Sequence, residues 1–472
     1  MLDWGLAEAA AAVRKRQISS VELTQACLDR IAKVDGHVNS FIAVRRETAL
    51  AEARSADQAL ANGMALGPLH GVPIAHKDMF HQAGEISTFG SHPRNHVVAR
   101  HTATVLARLS AAGAISLGTL NMAEFASNPT GHNVHCGDCR NPWNTAHVTG
   151  GSSSGSAAAV ATRLVYGSLG SDTGGSIRLP AAFCGITGLK PTHTRVSRFG
   201  ALPLAPSFDA IGPLARTAAD CALLLCVIAG FDQHDPTCSP RAVPDYSALP
   251  NGSIRGLRVG IAEEYFFDDI ANDVGVRIQE AIAEFASLGA DVRRVAVPNM
   301  VAANAFQIIM HRTEASMLHS QLLRSQYVDY DPQVRELLEA GLAIPATLYA
   351  EAMGRRGPML SAVLHELFGK VDVVLTPTVG IGAPTLTDTA YSSGTRPALL
   401  RNISSCTRPI TYLGLPCISI PCGFDSKALP VAFQLVGAPF RELTVLRAAH
   451  AYQQVTNWHR VIPQVTAPTS VN

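Results

Sequence analysis

Gly150-Gly151-Ser152-Ser153-Ser154-Gly155-Ser156 opens, and Gly170-Ser171-Asp172-Thr173-Gly174-Gly175-Ser176-Ile177-Arg178 closes, the stretch of this 472-residue chain that says most about its chemistry. It reads as a glycine turn, a small-residue helix over 156–161, a short strand over 165–169 and a second glycine turn. Two hydroxyls, those of Ser152 and Ser176, are thus delivered on two tight turns beside residues with no side chain to block a substrate. Glycines at such turns let the backbone take unusual dihedrals and let its N–H groups face a developing negative charge. A flexible linker is also rich in Gly and Ser. Here, however, residues 157–165 and 177–189 are apolar and patterned like packed core.

Outward from this stretch, segments with helical period, such as 21–34 and 274–288, alternate with short β-branched runs such as 257–261 and 371–375. Ser19-x-x-Glu22 and Thr217-x-x-Asp220 read as capping-box starts. The alternation predicts an α/β sandwich with a largely parallel sheet. Lys and Arg number 38 against 37 Asp and Glu, for a net charge of +1. That balance supplies no field for gathering nucleic acid or an anionic membrane surface. Met1-Leu2-Asp3-Trp4 lacks the basic start and apolar core of a signal peptide. The apolar run 221–231 is too short to span a bilayer and reads as a buried helix. The ten cysteines show no framework spacing, as expected of reduced thiols in a cytoplasmic protein.

The serine stretch resembles the signature of the amidase signature family. Gly150-Gly151-Ser152-Ser153, residues 170–185 and Gly188-Leu189-Lys190-Pro191-Thr192 follow that pattern, with the two serines 24 positions apart. Gly71-Val72-Pro73-Ile74-Ala75-His76-Lys77-Asp78 is similar to the family's lysine segment and lies upstream in the same order. Ser207-Phe208-Asp209, Gly212-Pro213-Leu214-Ala215-Arg216, Asn402, Gly414-Leu415-Pro416, Pro421-Cys422-Gly423 and Gln434-Leu435-Val436-Gly437 extend the likeness over most of the chain. The resemblance implies an α/β/α sandwich with a large, twisted, mixed sheet of about eleven strands covered by helices on both faces. It also implies a single amidase domain over 1–472, with a catalytic core at about 65–230. The helix-rich segment at about 295–365 matches the family least and is expected to cap the substrate pocket.

The resemblance assigns catalysis to Lys77, Ser152 and Ser176, with a cis peptide at Gly151–Ser152, and implies no cofactor. A serine hydroxyl is a weak nucleophile until a base takes its proton. In this reading Ser176 attacks the carbonyl carbon, Ser152 takes its proton, and Lys77 takes the proton of Ser152. Lys77 must then be neutral near pH 7, which burial can bring about, and Val72, Pro73, Ile74 and Ala75 are apolar enough to bury it. Pairing with Asp78 is awkward, because neighbours on an extended segment face opposite ways. The backbone N–H groups of Thr173, Gly174, Gly175 and Ser176 are the expected oxyanion hole. Asp172 and Arg178 are expected to brace the turn as an ion pair. His76 stands where the family more often carries an aliphatic residue, so it could tune Lys77 or point away.

Two other readings stand beside this one. Gly151-Ser152-Ser153-Ser154-Gly155 fits a nucleophile elbow centred on Ser153, which would call for a histidine base; it leaves Lys77 and the second glycine turn without a role. Cys136-Gly137-Asp138-Cys139, preceded by His132 and His135, has the spacing of a metal or redox site. A structural zinc usually takes a second such pair, which the sequence lacks, so no metal site is assigned. Met122-Ala123-Glu124-Phe125-Ala126-Ser127 resembles the family's acyl-pocket segment, making Ala126, Ser127 and Ser152 the expected substrate contacts. No basic residue lies near 127–130 to hold a small carboxylate such as that of glutamine. The expectation is therefore a stand-alone hydrolase of neutral amides, anilides, carbamates or esters, with a homodimer as its admissible oligomer. The alternative is the amide-hydrolysing component of a tRNA-dependent amidotransferase, its A subunit.

Overall fold

Eleven strands among the described residues form one sheet in a computed structural model that describes residues 1–64, 66–249, 253–262 and 264–465 of the 1–472 span. In chain order they are β1 (Phe41–Val44), β2 (Pro73–Lys77), β3 (Ile115–Leu120), β4 (Gly167–Asp172), β5 (Thr187–Lys190), β6 (Ala210–Ala215), β7 (Arg258–Ala262), β8 (Asp291–Val295), β9 (Val373–Pro377), β10 (Cys417–Phe424) and β11 (Pro430–Gly437). Their spatial order is β1-β3-β2-β4-β6-β5-β10-β11-β9-β7-β8, and helices cover both faces of the sheet.

The sheet is mixed, as the family resemblance implies, and not largely parallel as the alternation of elements alone predicts. From β4 through β6, β5, β10 and β11 to β9 every neighbouring pair is antiparallel. Parallel pairs β3-β2-β4 and β9-β7-β8 flank that block. The physical reason is local at β10 and β11. Asp425 accepts from the N–H groups of Lys427 and Leu429 and closes a tight turn. A tight turn can join only antiparallel strands, whereas a parallel pair needs a long crossover.

The Gly/Ser stretch is core, as its apolar flanks require. The helix Ser154–Ala161 is buried at every position, and so is β4. A Cβ on Gly155 would lie 2.3 Å from the carbonyl oxygen of Ser40 and 2.5 Å from the nitrogen of Asn121, so a glycine must stand there. Ser19 caps the helix Ser20–Val38 in a capping box with Glu22, and Thr217 caps Ala218–Ile228 by accepting from the Asp220 N–H. The helix Met300–Ser325 packs on Pro332–Leu342, Ala346–Glu366 and the short helix Arg408–Tyr412. Among the described residues no helix is long and apolar enough to cross a membrane.

Candidate active site

Lys77 ends β2, a central strand buried at every position. Its Nζ donates to the Oγ of Ser152 at 2.7 Å and to the Oγ of Ser171 at 3.0 Å. Burial pushes the Lys77 ammonium down to about 7, against the opposing pull of the Asp172 and Asp209 carboxylates. Asp78 takes no part: its carboxylate accepts from the Thr88 hydroxyl and the Gly90 N–H. The ring of His76 meets Phe80 edge-on, and its Nδ1 lies 3.2 Å from the Lys77 carbonyl oxygen. It therefore points away from the amine, as neighbours on a strand must.

Ser152 follows a cis Gly151–Ser152 peptide and is fully buried. The next residue, Ser153, ties the two glycine turns together, its N–H donating to the Ser176 carbonyl at 3.3 Å. The Ser153 hydroxyl is spent on the carbonyl of Ser171. It is thus directed at backbone, which removes the geometric ground for an elbow centred on Ser153. The Ser176 hydroxyl has no hydrogen-bond partner among the described residues, and Ser176 lines a cavity of about 430 Å³.

The turn carrying Ser176 is held from four sides. Asp172 and Arg178, both fully buried, form an ion pair through two contacts of 2.9 and 3.0 Å. Arg178 also donates to Gln434 Oε1, the Thr407 carbonyl and Thr411 Oγ1. Thr407 Oγ1 donates to the Gly174 carbonyl at 2.6 Å, Gln307 Nε2 donates to the Thr173 carbonyl at 2.9 Å, and Thr173 Oγ1 donates to Asp209 at 2.6 Å. With these carbonyls engaged from outside, the N–H groups of Thr173, Gly174 and Ser176 stay unpaired among the described residues. The Gly175 N–H departs from expectation. It donates to Asp172 Oδ1 at 2.8 Å and is not free to meet an oxyanion.

Ala126 and Ser127 line the same cavity, while Ser152 is fully buried against Lys77 and does not line it. Phe125 and Ala126 hold φ values of 48° and 58°, a left-handed conformation uncommon for residues other than glycine. The segment 127–130 brings no basic residue to the cavity, as its sequence shows, but other walls do. Arg312, Arg396, Arg401 and Arg408 all line it. They arrive from three helices far along the chain, so inspection of residues 127–130 could not reveal them. Sequence reasoning also missed Ser171 and Gln307. Ser171 sits in a motif that draws the eye to Ser176, and nothing local marks Gln307.

Cys136 is half-buried and Cys139 buried, and burial pushes the Cys136 thiol up to about 11 and the Cys139 thiol well above its usual value. The adjacent histidines are turned to carboxylates, His132 Nδ1 to Asp138 at 2.9 Å and His135 Nε2 to Glu124 at 2.7 Å. Among the described residues no group of three His, Cys, Asp or Glu side chains could hold a metal ion.

A family model described as Amidase matches residues 22–446. The A subunit of the glutamyl-tRNA(Gln) amidotransferase of Methylococcus capsulatus is 42% identical, over 97% of this chain and 98% of its own length. Among solved structures, a chain from a vestigial protein complex that reveals the evolutionary origins of an s-triazine catabolic enzyme superposes with a TM-score of 0.90. It is 33% identical, and the match covers 96% of this chain and 98% of that one. The A subunit of the glutamyl-tRNA(Gln) amidotransferase of Thermotoga maritima superposes with a TM-score of 0.81 at 32% identity, covering 95% of each chain.

Proposed function

The chain belongs to the amidase signature family, and from that membership we propose that it hydrolyses amide bonds through an acyl-enzyme on Ser176. The observation that carries the reading is the buried amine of Lys77, 2.7 Å from Ser152 Oγ and held near neutrality by burial. A neutral amine at that place can take the proton of Ser152, which can then serve as the base toward Ser176. Ser176 Oγ bonds to the carbonyl carbon as its proton passes to Ser152 and that of Ser152 passes to Lys77. The N–H groups of Thr173, Gly174 and Ser176 receive the oxyanion. Each such donor is worth about 3–4 kcal/mol in the transition state. The intermediate collapses when the proton returns through Ser152 to the leaving nitrogen and the C–N bond breaks. Water then repeats the sequence on the acyl-enzyme and releases the acid. The helices Met300–Ser325 and Pro332–Leu342 contribute Gln307, Arg312, Gln333 and Glu336 among others to the cavity lining, which supports reading the segment at about 295–365 as a pocket cap. Turnover of a primary amide by the purified protein, abolished in Ser176→Ala and Ser152→Ala, tests the reading. Retention of turnover in either folded variant contradicts it.

A second reading concerns assembly. Identity of 42% along nearly the whole of an amidotransferase component supports a chain that works with a protein partner, over the stand-alone enzyme to which the sequence points. Tagged chain purified from its own cells decides between them. A stoichiometric protein partner, with ammonia released from glutamine, supports the amidotransferase role. Recovery of the chain alone and active on other amides supports the free-standing hydrolase.

A further inference from the structure

The Ser176 cavity holds a cation that the protein itself leaves unmatched. Arg408 lines it and is only partly exposed, yet among the described residues it makes no hydrogen bond and no ion pair. Its stem passes the oxyanion turn: a Cβ on Gly174, two residues before Ser176, would lie 3.9 Å from Arg408 Cγ. The preceding residue, Thr407, is the one that clamps the Gly174 carbonyl. Arg408 is thereby registered against the reacting centre by its own backbone. Arg312 lines the same cavity and also lacks an ion-pair partner among the described residues. Burial, aided by the nearby Arg312 charge, pushes the Arg408 guanidinium down to about 10. The neighbouring His311 is pushed down to about 3 by burial and by both arginines, so it stays neutral.

A partly buried guanidinium that faces a cavity without a partner is unmatched charge, and a planar carboxylate is the ligand that its forked donors match best. The acidic side of the cavity is different. Its carboxylate, Glu336, is already paired with Arg396 at 2.8 Å. The walls therefore offer unspent positive charge and no free carboxylate to receive a ligand's ammonium group.

We propose that this site takes amides whose acyl part carries a carboxylate and no ammonium group, and that Arg408 is the residue that binds that carboxylate. The inference rests on amide hydrolysis at Ser176 but not on whether a protein partner is present. Half-amides of dicarboxylic acids are the simplest members of the class. Glutamine shares the carboxylate but adds an ammonium that the cavity does not match.

The test compares glutarate monoamide, its neutral counterpart valeramide, and glutamine. Binding to the Ser176→Ala protein is measured by calorimetry, so that recognition is read even where turnover fails. Glutarate monoamide should bind at least tenfold more tightly than either of the others. Arg408→Met should weaken it by about 100-fold, the order expected when one partner of a buried charge pair is truncated, and Arg408→Lys should recover part of the loss. In the active enzyme the effect should fall on KM more than on kcat. Equal binding of glutarate monoamide and valeramide, or equal weakening of both by Arg408→Met, overturns the assignment of Arg408. Tighter binding of glutamine than of glutarate monoamide overturns the exclusion of the ammonium. Binding as expected, with no hydrolysis by the intact protein, would instead count against amide hydrolysis and leave the recognition standing.

Discussion

Lys77 Nζ and Ser152 Oγ stand 2.7 Å apart in a site from which water is excluded on the lysine side, both residues being fully buried. Ser171 supplies the second contact to the amine at 3.0 Å, and Asp78, next in sequence, is engaged elsewhere. The amine is thus held by hydroxyls rather than by a carboxylate, an arrangement that leaves it free to be neutral.

The pH dependence follows from that state. Burial lowers the Lys77 value from 10.5 to about 7; the base is active when deprotonated, so activity is lost as pH falls through about 7 and is full above it. Turnover measured from pH 5 to 10 should rise about tenfold per unit on the acid side and then level. Lys77→Ala should lower it by several orders of magnitude, and Lys77→Arg should not restore it, because a guanidinium stays protonated. Near-normal rates in a folded Lys77→Ala protein would return attention to a histidine base.

Asp172 and Arg178 fix the turn beneath Ser176. Burial alone would raise the Asp172 carboxyl, but the Arg178 guanidinium outweighs it and holds that carboxyl below its usual value. Its stabilisation is therefore complete above pH 3.8 and is lost as pH falls below that toward the folded value. Asp172→Asn leaves Arg178 buried and uncompensated, with an expected loss of about 3–5 kcal/mol in urea unfolding at pH 7. A loss below about 1 kcal/mol, the size seen for exposed pairs, would show that the bonds of Arg178 to Gln434, Thr407 and Thr411 suffice.

Gly175 has φ +136°, and a Cβ there would meet Thr407 Oγ1 at 2.5 Å and Leu179 Cγ at 2.8 Å. Gly175→Ala must push the turn off its clamp and displace the N–H groups on either side. Turnover should drop by about 100-fold or more, as for loss of an oxyanion donor, with a lowered Tm. Unchanged turnover would mean that the unpaired N–H groups of Thr173, Gly174 and Ser176 do not serve the reaction.

What was legible in the sequence was what is local. The strand expected at 257–261 forms as Arg258–Ala262 and the helix at 274–288 as Asn272–Ser287, because a period of two or of 3.6 is written in consecutive residues. The lysine and the two serines each announce themselves by glycines and neighbours within a few positions. The antiparallel block was not legible, since pairing partners such as β5 and β10 lie more than two hundred residues apart. Arg408 was hidden for the same reason: it reaches Gly174 only through the packing of a distant helix. The Gly175 N–H was misassigned because sequence lists the donors on a turn but not the carboxylate, here Asp172, that reaches one of them first.

The Cys136 and Cys139 pair should be dispensable for turnover. Prolonged treatment with a strong chelator, and Cys136→Ser, are expected to leave most activity, since His132 and His135 are committed to carboxylates. Stoichiometric zinc by elemental analysis, with loss of turnover on its removal, would show a role for these residues that the present geometry does not suggest.

Whether Ser176 is the residue acylated by substrate is read out by treating the intact protein with a fluorophosphonate and mapping the adduct by peptide mass spectrometry. One adduct is expected, on Ser176, absent from Ser176→Ala and formed much more slowly by Lys77→Ala. An adduct on Ser152 or Ser153 with Ser176 unmodified would exclude Ser176 as the nucleophile.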